Sequence, residues 1–318
     1  MSEVTKGDRV RGPRLLKQVN VHQPGMPTLV FRQQPRSLWS DAWHQFRRHR
    51  LALAGLVTLA LIVFAVLAGP ELIPYDPERI DLRAKSSPPT LAHPMGTDEL
   101  GRDQLVRVLD GGRVSLAVGL AVVLVAMWVG VTIGAIAGYA GGWVDNALMR
   151  VVDVFFSMPG LFVIILLVTL LGPSFWTIIL SLGLLRWMTT ARLVRASFLS
   201  LKGQDFIEAA RAIGASNARI VVRHILPNAL SPIIVSATLG IAGAILAESA
   251  LSFLGLGFQP PQATWGRMLA EAQKVVIHEG HWWRGFFPGL MIFLTIISVN
   301  FVGDGLRDAL NPRRVRRS

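Results

Sequence analysis

The chain has 318 residues, of which 52% are hydrophobic and only 16% charged. A soluble domain carries about a quarter charged residues, so this composition points to a membrane protein. The net charge of +12 sits beside apolar stretches, without the interleaved stacking platform or recognition helix of a nucleic-acid binder, and the absence of cysteine excludes disulfides and thiol ligands.

In chain order, the first ~35 residues are basic, with scattered proline and glycine, and read as loosely held. Ser37–Arg50 carries Trp39, Trp43 and Phe46 at helical spacing, an amphipathic helix at headgroup level. Leu51–Pro70 is the first uncharged stretch. About 20 such residues cross the ~30 Å of bilayer hydrocarbon. The stretch begins too far along the chain for an ordinary cleaved signal peptide. The loop that follows ends His93-Pro94-Met95-Gly96-Thr97-Asp98-Glu99-Leu100-Gly101-Arg102-Asp103. Its glycines and acids suit an ordered, turn-rich cap, and its spacing fits neither an EF-hand nor a zinc site. Val114–Gly142 is the second span, with Gly130, Gly134 and Gly138 forming a stripe for close helix packing.

Val154–Leu185 is too long for one span, and Gly172-Pro173 divides it into a third and a fourth helix. At the end of the fourth, Arg192 and Arg195 are expected to snorkel to the headgroups. Arg186 lies deeper. An arginine at that depth faces protein or water rather than lipid, which makes it a candidate pathway or gate residue.

Residues 200–228 form a loop between the fourth and fifth spans. In it, Phe206, Ala209, Ala210 and Ile213 fall at helical spacing and make a short apolar face. Gly214 suits a helix stop, Ser216 can cap a second helix, and Leu226-Pro227 is expected to end that helix. A helix–Gly–helix knob of this kind is shaped to dock into a partner.

The fifth span, Ala229–Gly257, is interrupted only by Glu248. Ionised and unpaired there it would be costly, so it is either a structural hydrogen-bond hub or a proton site. Residues 258–284 contain Phe258-Gln259-Pro260-Pro261 and Trp265-Gly266-Arg267-Met268, which suits a re-entrant or surface helix. Glu271, His278, Glu279 and His281 lie near one another without a compelling ligand spacing, and no metal is assigned. Gly285–Gly303 is the sixth span. Beyond it, Pro312 stops the helix and Arg313, Arg314, Arg316 and Arg317 hold it at an anionic leaflet.

Basic residues set the orientation. Residues 1–50 hold ten Lys/Arg against three Asp/Glu, residues 186–227 seven against two, and the last twelve residues five against one. The loop 71–112 holds eight acidic residues and five basic ones. By the positive-inside rule both termini and the 200–228 loop are cytoplasmic, while 71–112 and 258–284 are external. The organisation is then a basic segment 1–50, a first span 51–70, the external loop 71–112, a five-helix core 113–306 and a basic tail 307–318.

Five stretches carry a resemblance. Glu208-Ala209-Ala210, three residues, Gly214, and then Leu226-Pro227 twelve positions on resemble the EAA loop of membrane subunits of ATP-binding-cassette importers. The family's isoleucine position holds His224 here. Gly96-Thr97-Asp98-Glu99-Leu100-Gly101-Arg102-Asp103 with Gly112–Leu116, the Ala247–Gly257 stretch around Glu248, the Pro260-Pro261 to Trp265-Gly266 segment, and Gly303–Pro312 match the same family in order. Over residues 36–312 the chain resembles the C-type permease subunit of a dipeptide, oligopeptide or nickel importer.

The resemblance implies an all-α, polytopic fold with six transmembrane helices, that of a type I importer permease, in the bacterial inner membrane. It also implies a second homologous permease subunit, two cytoplasmic ATPase subunits that bind ATP and Mg, and an external solute-binding protein. Coupling to the ATPases would fall to Phe206, Glu208, Ala209, Ala210, Ile213, Gly214, Leu226 and Pro227. The chain itself has no Gly-Lys pair, hence no phosphate loop, and no HExxH or Ser/His/Asp grouping, so no catalytic or cofactor residue is assigned. Peptide is the expected solute. Nickel or another small solute of the same family is the alternative, and proton-coupled transport through Glu248 is the competing class.

Overall fold

The structure is a computed structural model that describes residues 38–73 and 76–310. The expectations for the N-terminal ~35 residues and for Pro312 with its arginines lie outside the described residues, as does the side chain of Trp39. Helices dominate: α1 Leu38–Phe46, α2 Arg50–Leu72, α3 Gln104–Ala140, α4 Gly142–Ser157, α5 Gly160–Leu171, α6 Phe175–Lys202, α7 Asp205–Ala212, α8 Asn217–Arg219, α9 Leu226–Phe253, α10 Trp265–Glu279 and α11 Trp283–Ala309. A π-helical turn, Ile220–Ile225, joins α8 to α9 without a break.

Among the described residues, five helices are long and apolar enough to cross a membrane: α2, α3, α6, the continuous Asn217–Phe253 rod, and α11. The pair α4 and α5, bent by 81°, makes a sixth crossing when counted as one. Side-chain caps mark the starts. His49 accepts from the Ala52 amide, Asp103 from Val106, Ser174 from Thr177 and Thr264 from Arg267.

Two expectations are corrected. The third span does not begin as an unbroken helix at Val154. Residues 142–157 form a separate amphipathic helix, and Met158-Pro159 breaks it from α5. A proline disfavours helical geometry in the residue before it, and Met158 is extended at ψ 134°. Gly172-Pro173 does divide the next pair, with Gly172 at φ +80°. Second, Leu226-Pro227 ends nothing. Leu226 stays helical and its amide reaches back five residues to the Val221 carbonyl, so the widened π turn takes up the proline. Arg192 and Arg195, expected at the headgroups, also find partners on α4. α4 brings Asp153 within 2.7 Å of Arg192 and Asp145 into a bidentate pair with Arg195, at 2.5 and 2.6 Å.

The glycine stripe on α3 is the seam against α6. A Cβ on Gly130 would stand 2.7 Å from the Trp187 carbonyl, and one on Gly138 would stand 2.6 Å from Phe198 Cβ. Bare backbone lets the two helices touch along their length, where packing rather than hydrophobic burial drives association in lipid. α2 and α9 flank this pair. α11 lies between α2 and α9, and α1 tucks Ala42 and Phe46 against Ala52 and Ala309. Trp43, one turn away, is exposed and stacks on Phe46.

Candidate functional site

The loop after α6 is a built knob. α7 is amphipathic, with Ile207 and Ala210 buried among Val194, Phe198, Ile220, Ile225 and Ala229. Gly214 takes φ +82°, and the Ala215 amide bonds the Ala210 carbonyl at 3.1 Å, closing the helix end. Ser216 caps α8, accepting from the Arg219 amide at 3.4 Å. Two further bonds tie the knob to the end of α3. Tyr139 donates to Asn217 at 2.7 Å, and Lys202 donates to the Tyr139 carbonyl at 2.5 Å.

Of the eight residues expected to couple, six are presented outward. Phe206, Ala209 and Ile213 fall on one exposed edge of α7, and Glu208, Gly214 and Pro227 are exposed as well. Ala210 and Leu226 do not join that face. Ala210 is buried and Leu226 packs against the knob's core, so both hold its shape. A four-residue apolar face was too wide for α7, because Ile207, not Phe206, is the residue one turn from Ala210 on the inner side. Tyr139 and Asn217 were missed as anchors. The available signal was that Tyr139 is one of only two tyrosines, at the end of an otherwise apolar span.

The two intramembrane groups lie apart from the knob. Glu248 is fully buried and its Oε1 accepts from Ser252 at 2.8 Å and from Thr264 at 3.0 Å. Thr264 belongs to the segment 258–284, whose stretch 263–268 dips inward while residues 277–280 stay exposed. Trp265 is completely buried, and its indole N–H donates to the Val108 carbonyl at 2.8 Å. Arg186 is half-buried on α6, with its guanidinium against Gly243 of α9.

At the other end of the molecule the loop before α3 is an ordered cap. Asp98 accepts from the amides of Leu100 and Arg102 and pairs with the Arg102 guanidinium at 2.6 Å. Asp103 caps α3 and holds His93 at 2.7 Å. Arg107 bridges to Glu271 of α10 at 3.3 Å, and Trp283 donates to the Thr97 carbonyl.

Residues 130–316 match the family described as binding-protein-dependent transport system inner membrane component. Residues 37–89 match the N-terminal TM domain of oligopeptide transport permease C. The chain is 43% identical over 277 residues to the dipeptide transport system permease protein DppC of Bacillus subtilis (strain 168), covering 87% of this chain and 86% of that one. It is 45% identical over 280 residues to the oligopeptide transport system permease protein OppC of Escherichia coli (strain K12), covering 87% and 92%. Against the OppC of Haemophilus influenzae the identity is 42% over 280 residues, covering 87% and 89%. Among solved structures, an inward-facing MetNI methionine ABC transporter superposes with a TM-score of 0.54 at 17% identity, covering 64% of this chain and 96% of that one, which gives the fold as that of a type I importer permease. The chain belongs to the binding-protein-dependent transport system inner membrane component family, as a multi-pass permease of the inner membrane.

Proposed function

We propose that this chain is one membrane half of an ATP-driven importer of di- or oligopeptides, and that the α7 knob couples it to cytoplasmic ATPase subunits. The observation that carries this is the outward apolar edge of Phe206 and Ile213 on a knob pinned to α3, α6 and α9. The named relatives transport dipeptides and oligopeptides. The charge distribution supports a cytoplasmic side for the knob and both termini.

The chain has no phosphate loop, so the free energy of ATP enters through contact. The buried side of α7 is continuous with Phe198 of α6 and Ala229 of α9. A push on the knob therefore moves both helices together. The π turn carries the push into α9 without a flexible joint. Two ATPase subunits closing on ATP and Mg displace two such knobs, one on this chain and one on a second permease. The pair of permeases rocks from inward-open to outward-open. ATP biases that equilibrium only through its differential affinity for the two states. An external binding protein docks over the cap formed by the 71–112 loop and releases its peptide into the open cavity.

The test is Gly214→Pro. Gly214 sits at φ +82°, which proline cannot adopt. Uptake of a labelled tripeptide by cells is expected to vanish while the protein still reaches the membrane. Normal uptake with the ATPase still co-purifying would refute the coupling role.

A further inference from the structure

Arg186 has a surrounding that five other arginines lack. Arg107, Arg113, Arg192, Arg195 and Arg284 each have a carboxylate oxygen within 3.5 Å. Arg186 has no ion pair or side-chain hydrogen bond among the described residues. Its seat is cut by the absence of a side chain. A Cβ on Gly243 would collide with Nη2 and stand 3.3 Å from Cζ. Arg186 is eleven residues from the start of α6 and Gly243 ten from the end of α9, each roughly 15 Å from the external ends of their helices, near the middle of the ~30 Å hydrocarbon layer.

The strip around it is not covered by the rest of the chain. Thr189 on α6 and Leu246 on α9, each three residues beyond this pair, are exposed, and Leu246 is 56% exposed. A guanidinium at mid-depth does not face hydrocarbon, so the strip faces water or protein. A guanidinium fork matches a carboxylate with two parallel hydrogen bonds. Peptides of varied sequence share their backbone and their charged ends, and only one of those ends is anionic.

We propose that Arg186, seated against Gly243, receives the C-terminal carboxylate of the peptide in transit. This rests on the peptide-importer reading above. The experiment uses the whole transporter in proteoliposomes, with its second permease, ATPases and binding protein, and compares trialanine with trialanine amide. Arg186→Gln is expected to lower ATP-driven uptake of trialanine by about ten- to a hundredfold and to leave the amide's rate little changed. Any preference of the binding protein cancels, because each peptide is compared between wild type and variant. Arg186→Lys, which keeps the charge and loses the fork, falls between. Equal loss for both peptides, no loss for trialanine, or dissociation of the second permease from the variant overturns the proposal, the last by making Arg186 an interface ion pair. A wild type that takes up neither peptide with ATP sinks the importer reading itself and this proposal with it.

Discussion

Replacing Ile213 by serine separates docking from folding. Ile213 is 86% exposed, and its side chain fills no cavity in the chain. Surface substitutions of this kind change stability by no more than about 0.5 kcal/mol. Fully burying an isoleucine or phenylalanine contributes about 1.5–3 kcal/mol. Scaled by the exposed fraction, covering Ile213 with a partner stabilises the complex by about 2 kcal/mol, and covering Phe206, which is 42% exposed, by about 1 kcal/mol. Ile213→Ser is then expected to weaken ATPase binding roughly thirtyfold, and Ile213→Ser with Phe206→Ala roughly 150-fold. The assay is titration of purified ATPase subunits onto the permease pair in nanodiscs, with the thermal transition as a control. Unchanged affinity would refute the docking face. A fall of many degrees in the transition would show that these side chains serve the fold instead.

The packing and the buried acid give further tests. Gly134→Leu places a Cβ 2.5 Å from the Ala191 carbonyl and 2.8 Å from Val194 Cβ, on backbone and a stiff side chain. Such overpacking costs about 1–3 kcal/mol, so the thermal transition of the purified protein falls, and an unchanged transition would contradict the α3–α6 seam. Glu248→Gln keeps an acceptor for Ser252 and Thr264, and ATP-driven uptake is expected to persist; complete loss would favour a proton-carrying role. Glu248→Leu leaves both hydroxyls without that acceptor and is expected to destabilise the protein by about 1–3 kcal/mol, read as a lower thermal transition.

Much of the architecture was legible because lipid imposes a simple rule. Spans must be long, apolar and helical, so α2, α3 and α11 could be placed from composition, and the glycines every four residues marked a close-packing stripe on α3, whose partner α6 only the fold shows. Prolines were harder to read. Pro159, Pro173 and Pro227 each sit beside apolar sequence, yet the first two separate helices and the third lies within a continuous one. The difference is made by neighbours. A π turn absorbs Pro227, and no sequence signal announces it. The salt bridges were illegible for a related reason: Asp145 and Asp153 find Arg195 and Arg192 only because α4 folds back on α6. In the knob, the motif located the loop and Gly214 set its turn. Which side of α7 faces out depended on Phe198 and Ala229, which lie in other helices.

The most direct test of the coupling claim is accumulation of a labelled tripeptide in proteoliposomes containing the two permeases and the binding protein, with ATP, in the presence and absence of the ATPase subunits. The account predicts uptake against the gradient only when the ATPases are present, and its loss in the Ile213→Ser, Phe206→Ala double variant. Accumulation by the permeases alone, or full uptake by the double variant, would contradict it.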